Sequence, residues 1–296
     1  MREFYIPGQV QRKSSDLKRT IYYVGPLSEG FQYPTINAAL TRAILDNRGP
    51  SSPATILVSP GIYNENIALT VPQIHIQGLT TNESFATTIE GTLDIDLVGG
   101  ATETRFVVLE NLRFAEEGTV GSGVTSVEQF IILETVQIQS DTGIGLLVDL
   151  PNGGLIEATN LRLLGGPALQ IEAGAILWFH GSCRSDIGGT SVLINGGQAN
   201  CEAVEMSGKI LIENDGSFIG ALAGFEASAE VLETNSTSFS LLAICLMNTT
   251  TEPGVIGTGV FGFFNVATLP GYNTGDAFSA TLNSGLGAIS FPVVPS

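Results

Sequence analysis

The stretch ATILVSPGIYNENIALTVPQIHIQG, residues 54–78, decides the fold. It contains three short β-prone segments separated by tight turns, and the first turn carries Pro60-Gly61. In the third segment Ile74 and Ile76 alternate with polar residues, which is the two-residue period of a strand with one buried face. Three strands within 25 residues leave no room for crossover helices. The stretch therefore predicts either a hairpin meander or one coil of a parallel β-solenoid.

A repeated pattern favours the solenoid. The order apolar, polar, turn residue, apolar, polar, apolar occurs at 109–114, 133–138, 158–163 and 201–206. The copies are separated by 24, 25 and 43 residues, and the last separation equals about two shorter coils. The pattern places Leu112 and Val136 inside and puts Glu110 and Glu134 in the same outward slot of neighbouring coils. The predicted turn residues are Asn111, Thr135, Asn160 and Ala203, and Asn111 is expected at a bend because asparagine tolerates left-handed dihedrals.

The opening of the chain resembles a known family. FQYPTINAAL at 31–40, followed by ILVSPGIYNENI and IHIQGL, is similar to the start of the pectin-lyase-like β-helices, above all the pectin methylesterase and pectate lyase group. The similarity covers residues 31–80. It implies an all-β fold, a right-handed single-stranded parallel β-helix with an N-terminal capping helix. Many non-enzymatic virus and phage proteins share such an opening.

The chain divides into four segments on this interpretation. Thr35 is placed to cap a helix over 36–47, whose apolar stripe, ending at Ala43 and Ile44, would cover the first coil. Such a cover removes the unpaired strand edge at the end of a solenoid. The segments are 1–30 as arm and entry strand, 31–53 as capping helix and loop, 54–250 as parallel β-helix, and 251–296 as a charge-poor cap or oligomerisation segment.

Charge is distributed unevenly. The net charge is −17; residues 1–19 hold five basic and two acidic groups, or +3, so the remainder carries −20. An acidic body disfavours nucleic acid and anionic lipid surfaces. The sequence leaves two roles open for the basic arm, which either binds an acidic neighbour such as another copy or remains solvated. The absence of a long apolar run and of an apolar signal core predicts synthesis in the cytoplasm without membrane insertion.

The sequence predicts no metal site and no cofactor. The two histidines, His75 and His180, are far apart, and the three cysteines lack metal or redox spacing. The cysteines are therefore interpreted as small buried apolar residues.

The C-terminal segment is rich in phenylalanine and poor in charge. From 253 to 296 the only charged residue is Asp276. An exposed segment of this kind would present apolar patches that monomers avoid. It either covers the end of the solenoid or lies between subunits, and the second alternative is favoured; the family resemblance further suggests a trimer. The predicted oligomerisation residues are Phe261, Phe263, Phe264, Phe278 and Phe291.

The sequence lacks a recognisable catalytic set. Pectin methylesterases carry later motifs of the kind QDTL, DFIFG and LGRPW; the nearest strings here are QSDT at 139–142 and DGSFIG at 215–220, and LGRPW is absent. No catalytic residue is therefore carried over from that family. Three candidate groups remain from the residues themselves, each with a solvated surface as its alternative, and one of them is the stacked carboxylate pair Glu110 and Glu134. Asp94 with Asp96 would hold Ca²⁺ or act as an acid/base pair, and His180 with Arg184 and Asp186 would join an imidazole, a base and an acid.

These observations predict a non-enzymatic structural β-helix of a virus or phage particle, a spike, fibre or capsid-decorating subunit. The expected partners are further copies of the chain and other particle proteins. The alternative is a carbohydrate-active enzyme, a lyase or pectin-esterase-like protein, or a glycan-binding module with Tyr63 or Trp178 exposed in a groove. The acidic body argues against an acidic polysaccharide as substrate.

Overall fold

The structure is a computed structural model of the chain. Side chains are described for most of the residues up to 220, and beyond them the description is mainly of the backbone of strands. The described residues are 20–46, 53–79, 86–97, 105–121, 129–141, 143–150, 153–184, 189–202, 205–221, 224–227, 232–234, 239–243, 246–249, 255–257, 260–264, 267–268 and 278–280.

The described elements are almost all short strands. One α-helix, α1, spans Ile36–Leu45, and a 3-10 turn spans Leu27–Glu29. The first strands are β1 Thr20–Val24, β2 Ala54–Val58, β3 Gly61–Tyr63, β4 Ile67–Leu69, β5 Ile74–Gly78, β6 Thr87–Ile89, β7 Leu93–Asp96, β8 Arg105–Phe114, β9 Gly118–Gly121, β10 Gln129–Gln139, β11 Leu146–Asp149, β12 Gly154–Leu164, β13 Leu169–Glu172 and β14 Ala175–Arg184. The later strands are β15 Thr190–Asn195, β16 Gln198–Glu202, β17 Glu205–Ser207, β18 Lys209–Glu213, β19 Ser217–Ala221, β20 Gly224–Ala227, β21 Leu232–Thr234, β22 Phe239–Ala243, β23 Leu246–Thr249, β24 Val255–Gly257, β25 Val260–Phe264, β26 Ala267–Thr268 and β27 Phe278–Ala280.

The strands form a parallel β-solenoid with three faces. Face 3 is a sheet of ten strands, from β4 to β27, with one strand for each coil. The other two faces belong to a 17-stranded sheet. Face 1 contains β1, β2, β5, the first halves of β8, β10, β12 and β14, then β16, β19, β22 and β25. Face 2 contains β3, β6, the second halves of the four long strands, then β17, β20, β23 and β26.

The register confirms the repeat inferred from the sequence. Leu109 pairs with Leu133 and Leu133 with Ala158, at the separations of 24 and 25 expected for single coils. The separation of 43 divides into two coils, because Ala158 pairs with Phe179 and Phe179 with Cys201. Each of these residues is buried. The hairpin meander is excluded, since these pairings are parallel.

Apolar side chains of neighbouring coils stack on one another in the core. Leu112 and Val136 pair with each other and are both fully buried, as the pattern predicted. Full burial of a side chain of this size contributes roughly 1.5–3 kcal/mol. Cys201 is buried in the same core, in line with its interpretation as a small apolar residue.

Left-handed residues bend the long strands between face 1 and face 2. Asn111, Thr135 and Asn160 have φ values of 55°, 54° and 53°. Asparagine tolerates this conformation, whereas a β-branched threonine is strained in it. Ala203, the fourth predicted turn residue, lies outside the described residues. Gly78 is required beside the first bend, because a Cβ there would lie 2.2 Å from the carbonyl oxygen of Asn111.

Helix α1 covers the first coil. It ends at Leu45, two residues before the predicted end, and the Thr35 side chain caps it by accepting from the amide of Ala38 at 3.1 Å. Its buried side includes Ile36, Leu40 and Ala43. Ile44, expected in the apolar stripe, is exposed instead.

A carboxylate from the first coil holds the start of the helix. Glu65 accepts from the amides of Ile36 at 2.7 Å and Asn37 at 2.9 Å, one with each oxygen. These amides lack partners within the helix, and a negative charge is favoured at a helix N-terminus. Asn37 also donates to the carbonyl of Asn66. The acidic residue of the PGIYNE string therefore joins the cap to the solenoid.

The three ladders continue into the charge-poor segment. β24 to β27 pair in parallel with β21 to β24, so the coils run past the boundary predicted at residue 250. By register Phe261 and Phe263 fall in columns that hold buried Phe218 and Phe179 in earlier coils.

Phe278 also falls in a core column, and Phe264 does not. The Phe278 column holds buried Leu169 and Ile210 in earlier coils. Phe264 stands in the column of exposed Glu202. Their side chains and Phe291 lie outside the description, so the assignment of all five phenylalanines to an oligomer interface stays a prediction.

Candidate functional site

Asp94 and Asp96 occupy the outer side of face 3. Both project from β7 while Leu93 and Ile95 are buried, as the alternation predicted. Partial burial raises the pKa of Asp94, and the negative charge of Asp96 raises it further. Opposite Asp94 stand Ala68 on β4 and Thr119 on β9. Among the described residues, no group of three histidine, cysteine or acidic side chains is arranged to hold a metal ion.

His180 meets a partner that the sequence did not predict. It lies at the bend of β14, and its Nε2 is 3.9 Å from Oε2 of Glu202, a residue of the next coil. The exposed fractions of the two side chains are 42% for His180 and 62% for Glu202. Arg184 stands further along β14, on face 2, opposite Leu164. The Arg184 side chain and Asp186 lie outside the described residues, so the proposed three-residue cluster stays a prediction.

Glu110 is the centre of a hydrogen-bonded network on the outer wall. Its Oε2 is 3.1 Å from Nε2 of His75, and its Oε1 accepts from Gln77 at 2.9 Å and from Asn111 at 3.2 Å. Glu134 stands directly opposite Glu110 in the next coil, as the repeat predicted. The contact with His75 has no local signal in the sequence, because the two residues are 35 positions apart.

The geometry limits what the His75–Glu110 pair can do. An imidazole and a carboxylate in contact are chemically suited to proton transfer. Both oxygens of Glu110, however, are engaged by side chains of its own and the preceding coil. The pair is also only partly accessible, with exposed side-chain fractions of 21% for His75 and 24% for Glu110. The arrangement therefore cross-links coils.

A second acidic residue is used in the same way on face 3. Glu172 accepts from Gln170 of its own strand and from Asn195 of the next coil. Asn214 then donates to Asn195, which extends the chain of amide contacts by a further coil. These polar side chains satisfy one another's hydrogen-bonding groups between successive coils.

The outer side of face 1 carries an apolar patch that the sequence analysis missed. Its side chains are partly exposed, and Trp178 is the most exposed of them at 55%. Tyr63, the other aromatic residue considered for a glycan groove, is half-buried and bonded to Ser59. We call this surface the Trp178 patch; its residues are Phe106, Val108, Phe130, Ile132, Leu155, Ile176 and Trp178.

Comparisons of the chain with protein-family models, with curated proteins and with solved structures found no match. Within the described residues, the helices are too short or too polar to cross a membrane. The parallel β-solenoid is therefore the level at which the molecule is classified.

Proposed function

We propose that the chain is a non-enzymatic structural β-solenoid that assembles with copies of itself as a component of a virus or phage particle, either a spike, a fibre or a capsid-decorating subunit. The resemblance of residues 31–80 to pectin-lyase-like β-helices supports the particle role, because many virus and phage proteins share that opening. At about 4.8 Å per coil, ten coils form a rod roughly 45–50 Å long.

The observation that carries the proposal is the use made of the outward carboxylates. Glu65 holds two backbone amides of the cap, Glu110 joins His75 and Gln77 of the preceding coil, and Glu172 joins the next coil. A carboxylate that acts as acid, base or nucleophile must reach a substrate atom. These three instead reinforce the wall, which is what a rod-like structural subunit requires.

The assembly part is tested by the mass of the full-length chain. Sedimentation velocity across roughly 0.1–50 μM is expected to give a stable oligomer, since subunits of this class bury large interfaces. A monomer throughout that range contradicts the proposal.

The enzymatic alternative needs a separate measurement. Polyuronate is incubated with the protein with and without Ca²⁺, and the structural proposal predicts no product above a protein-free control. Turnover that is lost in Asp94→Ala or Asp186→Ala, while Asp149→Ala retains it, would establish an enzyme instead. Asp149 is a matched control because it is also an exposed aspartate on face 3.

The particle part is tested by location. Particles are purified from the source of the gene by density gradient and analysed by mass spectrometry. The chain is expected at a fixed ratio to the major shell protein in the particle fraction. Its recovery in soluble fractions alone contradicts a particle role.

A further inference from the structure

We propose that the Trp178 patch is the surface through which one copy of the chain binds a second copy. This inference rests on the assembly part of the proposed function and adds the surface that performs it. The patch lies on the outer side of face 1, over the four successive strands β8, β10, β12 and β14.

The patch is built from two adjacent columns. One column stacks Phe106, Phe130, Leu155 and Ile176 in parallel register. The other stacks Val108, Ile132, Glu157 and Trp178. Seven of these eight side chains are apolar, and each is at least partly open to solvent.

The surroundings of the patch resemble the rim of a protein interface. On the N-terminal side His75 continues the column of Val108, and on the C-terminal side Gln198 and Asn200 continue both columns. An apolar centre within a polar border is the usual anatomy of a specific interface. Exposed Trp178 in the patch is also the residue type that most often dominates binding energy.

The dimensions suit a second copy. Four rungs and two columns cover roughly 250–300 Å², which is the size of the apolar centre of an interface and not of a whole interface. Face 1 as a whole has eleven strands of about five residues, which gives roughly 50 Å by 17 Å, or about 850 Å². A stable interface buries about 800 Å² on each partner. Two such faces, each with rows spaced alike, can interdigitate as stacked sheets do.

The charge distribution also favours the Trp178 patch as the surface for self-association. The chain beyond residue 19 carries −20, so two copies repel each other over most of their surfaces. Within the two columns of the patch Glu157 is the only charged side chain, and Glu110 and Glu134 stand in the next outward column of the same strands. Like-charge repulsion between two copies is therefore weak across the two columns themselves. A glycan fits less well, because sugar hydroxyls require polar side chains interleaved with the aromatic ones, and the centre of this patch offers one.

The chain contains its own probe for this interface. Trp178 is the single tryptophan, so the intrinsic indole fluorescence reports on the patch alone. At concentrations where the protein is oligomeric, we expect blue-shifted emission and an acrylamide quenching constant several-fold lower than in the dissociated protein. Dilution below the dissociation constant should restore red-shifted, quenchable emission in parallel with the loss of mass.

The matched variants are Ile176→Glu within the patch and Ile62→Glu outside it. Both isoleucines are outward and exposed, at 36% and 65%. Ile176→Glu should weaken association roughly 100-fold, since it places an unpaired charge within the interface, on the same side of β14 as Trp178. Ile62→Glu should associate like the wild type. Circular dichroism checks the fold of both variants. If Ile176→Glu does not fold, the quenching of Trp178 in the wild-type protein still shows whether the patch is buried in the oligomer.

The outcomes separate the inference from the proposed function. An oligomer in which Trp178 remains fully quenchable, or which Ile176→Glu leaves intact, overturns the inference and retains the assembly. A monomer at every concentration overturns both. Protection of Trp178 in a monomer by added oligogalacturonate or maltohexaose would replace self-association with glycan binding.

Discussion

The carboxylate of Glu65 bridges the backbone amides of Ile36 and Asn37, at 2.7 and 2.9 Å, and so attaches the capping helix to the first coil. The contact spans 29 residues of sequence and combines two charge-assisted hydrogen bonds with the helix dipole.

Glu65→Ala is expected to lower the free energy of unfolding by about 2–3 kcal/mol. The substitution leaves two amide donors at the helix start without their partner and removes a favourable charge there. Urea unfolding followed by circular dichroism measures the change. Glu90→Ala is the control, because Glu90 is exposed; it should stay within about 0.5 kcal/mol of the wild type. Equal losses in both variants would contradict the role of Glu65.

Thr135→Asn is expected to stabilise the protein by about 1 kcal/mol. Thr135 has a φ of 54°, a conformation that is costly for a β-branched residue and tolerated by asparagine. Asparagine also occupies the equivalent position in the coils on either side, Asn111 and Asn160. The substitution removes the hydrogen bond that the Asn160 side chain donates to the Thr135 hydroxyl, but this bond is long at 3.4 Å.

Thermal unfolding measures this change, with Thr159→Asn as control. Thr159 is exposed and directly precedes the bend, so the same side-chain change there should have little effect. A lower melting temperature for Thr135→Asn would argue that the hydroxyl contact outweighs the backbone strain.

Asp94→Asn is expected to raise the melting temperature slightly at pH 7. The folded-state pKa of Asp94 lies above the ordinary value of 3.8, so the folded protein holds this proton more tightly than the unfolded chain. The stabilisation that comes from this tighter proton binding by Asp94 is complete below pH 3.8. It is lost as the pH rises through the raised pKa. At pH 7 the ionised group is thus unfavourable, and the amide removes that penalty.

The pH dependence provides the control for Asp94. The difference in melting temperature between Asp94→Asn and the wild type should grow as the pH rises above about 4 and then level off. Its size is small because Asp94 is an exposed side chain that the protein desolvates only in part. A pH-independent difference for Asp94→Asn would refute the explanation.

Phe263→Ala and Phe264→Ala should differ sharply. The register places Phe263 in the core column of Phe179 and Cys201, and Phe264 in the column of Glu202. Loss of a buried phenylalanine costs about 3–5 kcal/mol, whereas an outward one costs much less. Unfolding energy and sedimentation should be measured together. Loss of association without loss of stability in Phe263→Ala would instead support the interface role predicted from the sequence.

The solenoid was predictable because its signal is local and repeated. The order of apolar, polar and turn residues at 109–114 and 133–138 sets both the register and the bends. Asn111 favours a turn because asparagine tolerates the left-handed conformation. The helix was predictable for the same reason, from the Thr35 cap and the spacing of its apolar residues.

The missed features lack a local signal. Glu65 looks like any acidic residue after a turn, and only the stacking of the coils brings it to the helix. The Trp178 patch was missed for a different reason. In FVV at 106–108 and FII at 130–132 both faces of the strand are apolar, so alternation no longer distinguishes the core from the outer wall.

The tie between Glu65 and the helix also orders events on the ribosome. During translation helix α1 emerges before residue 65, so its first amides wait for a partner that is still being synthesised. Once that residue appears, cap and first coil can close together and present a finished edge. Each later strand pairs with a strand of the coil synthesised before it, so a paired edge is available for every new coil in the order in which the chain is made.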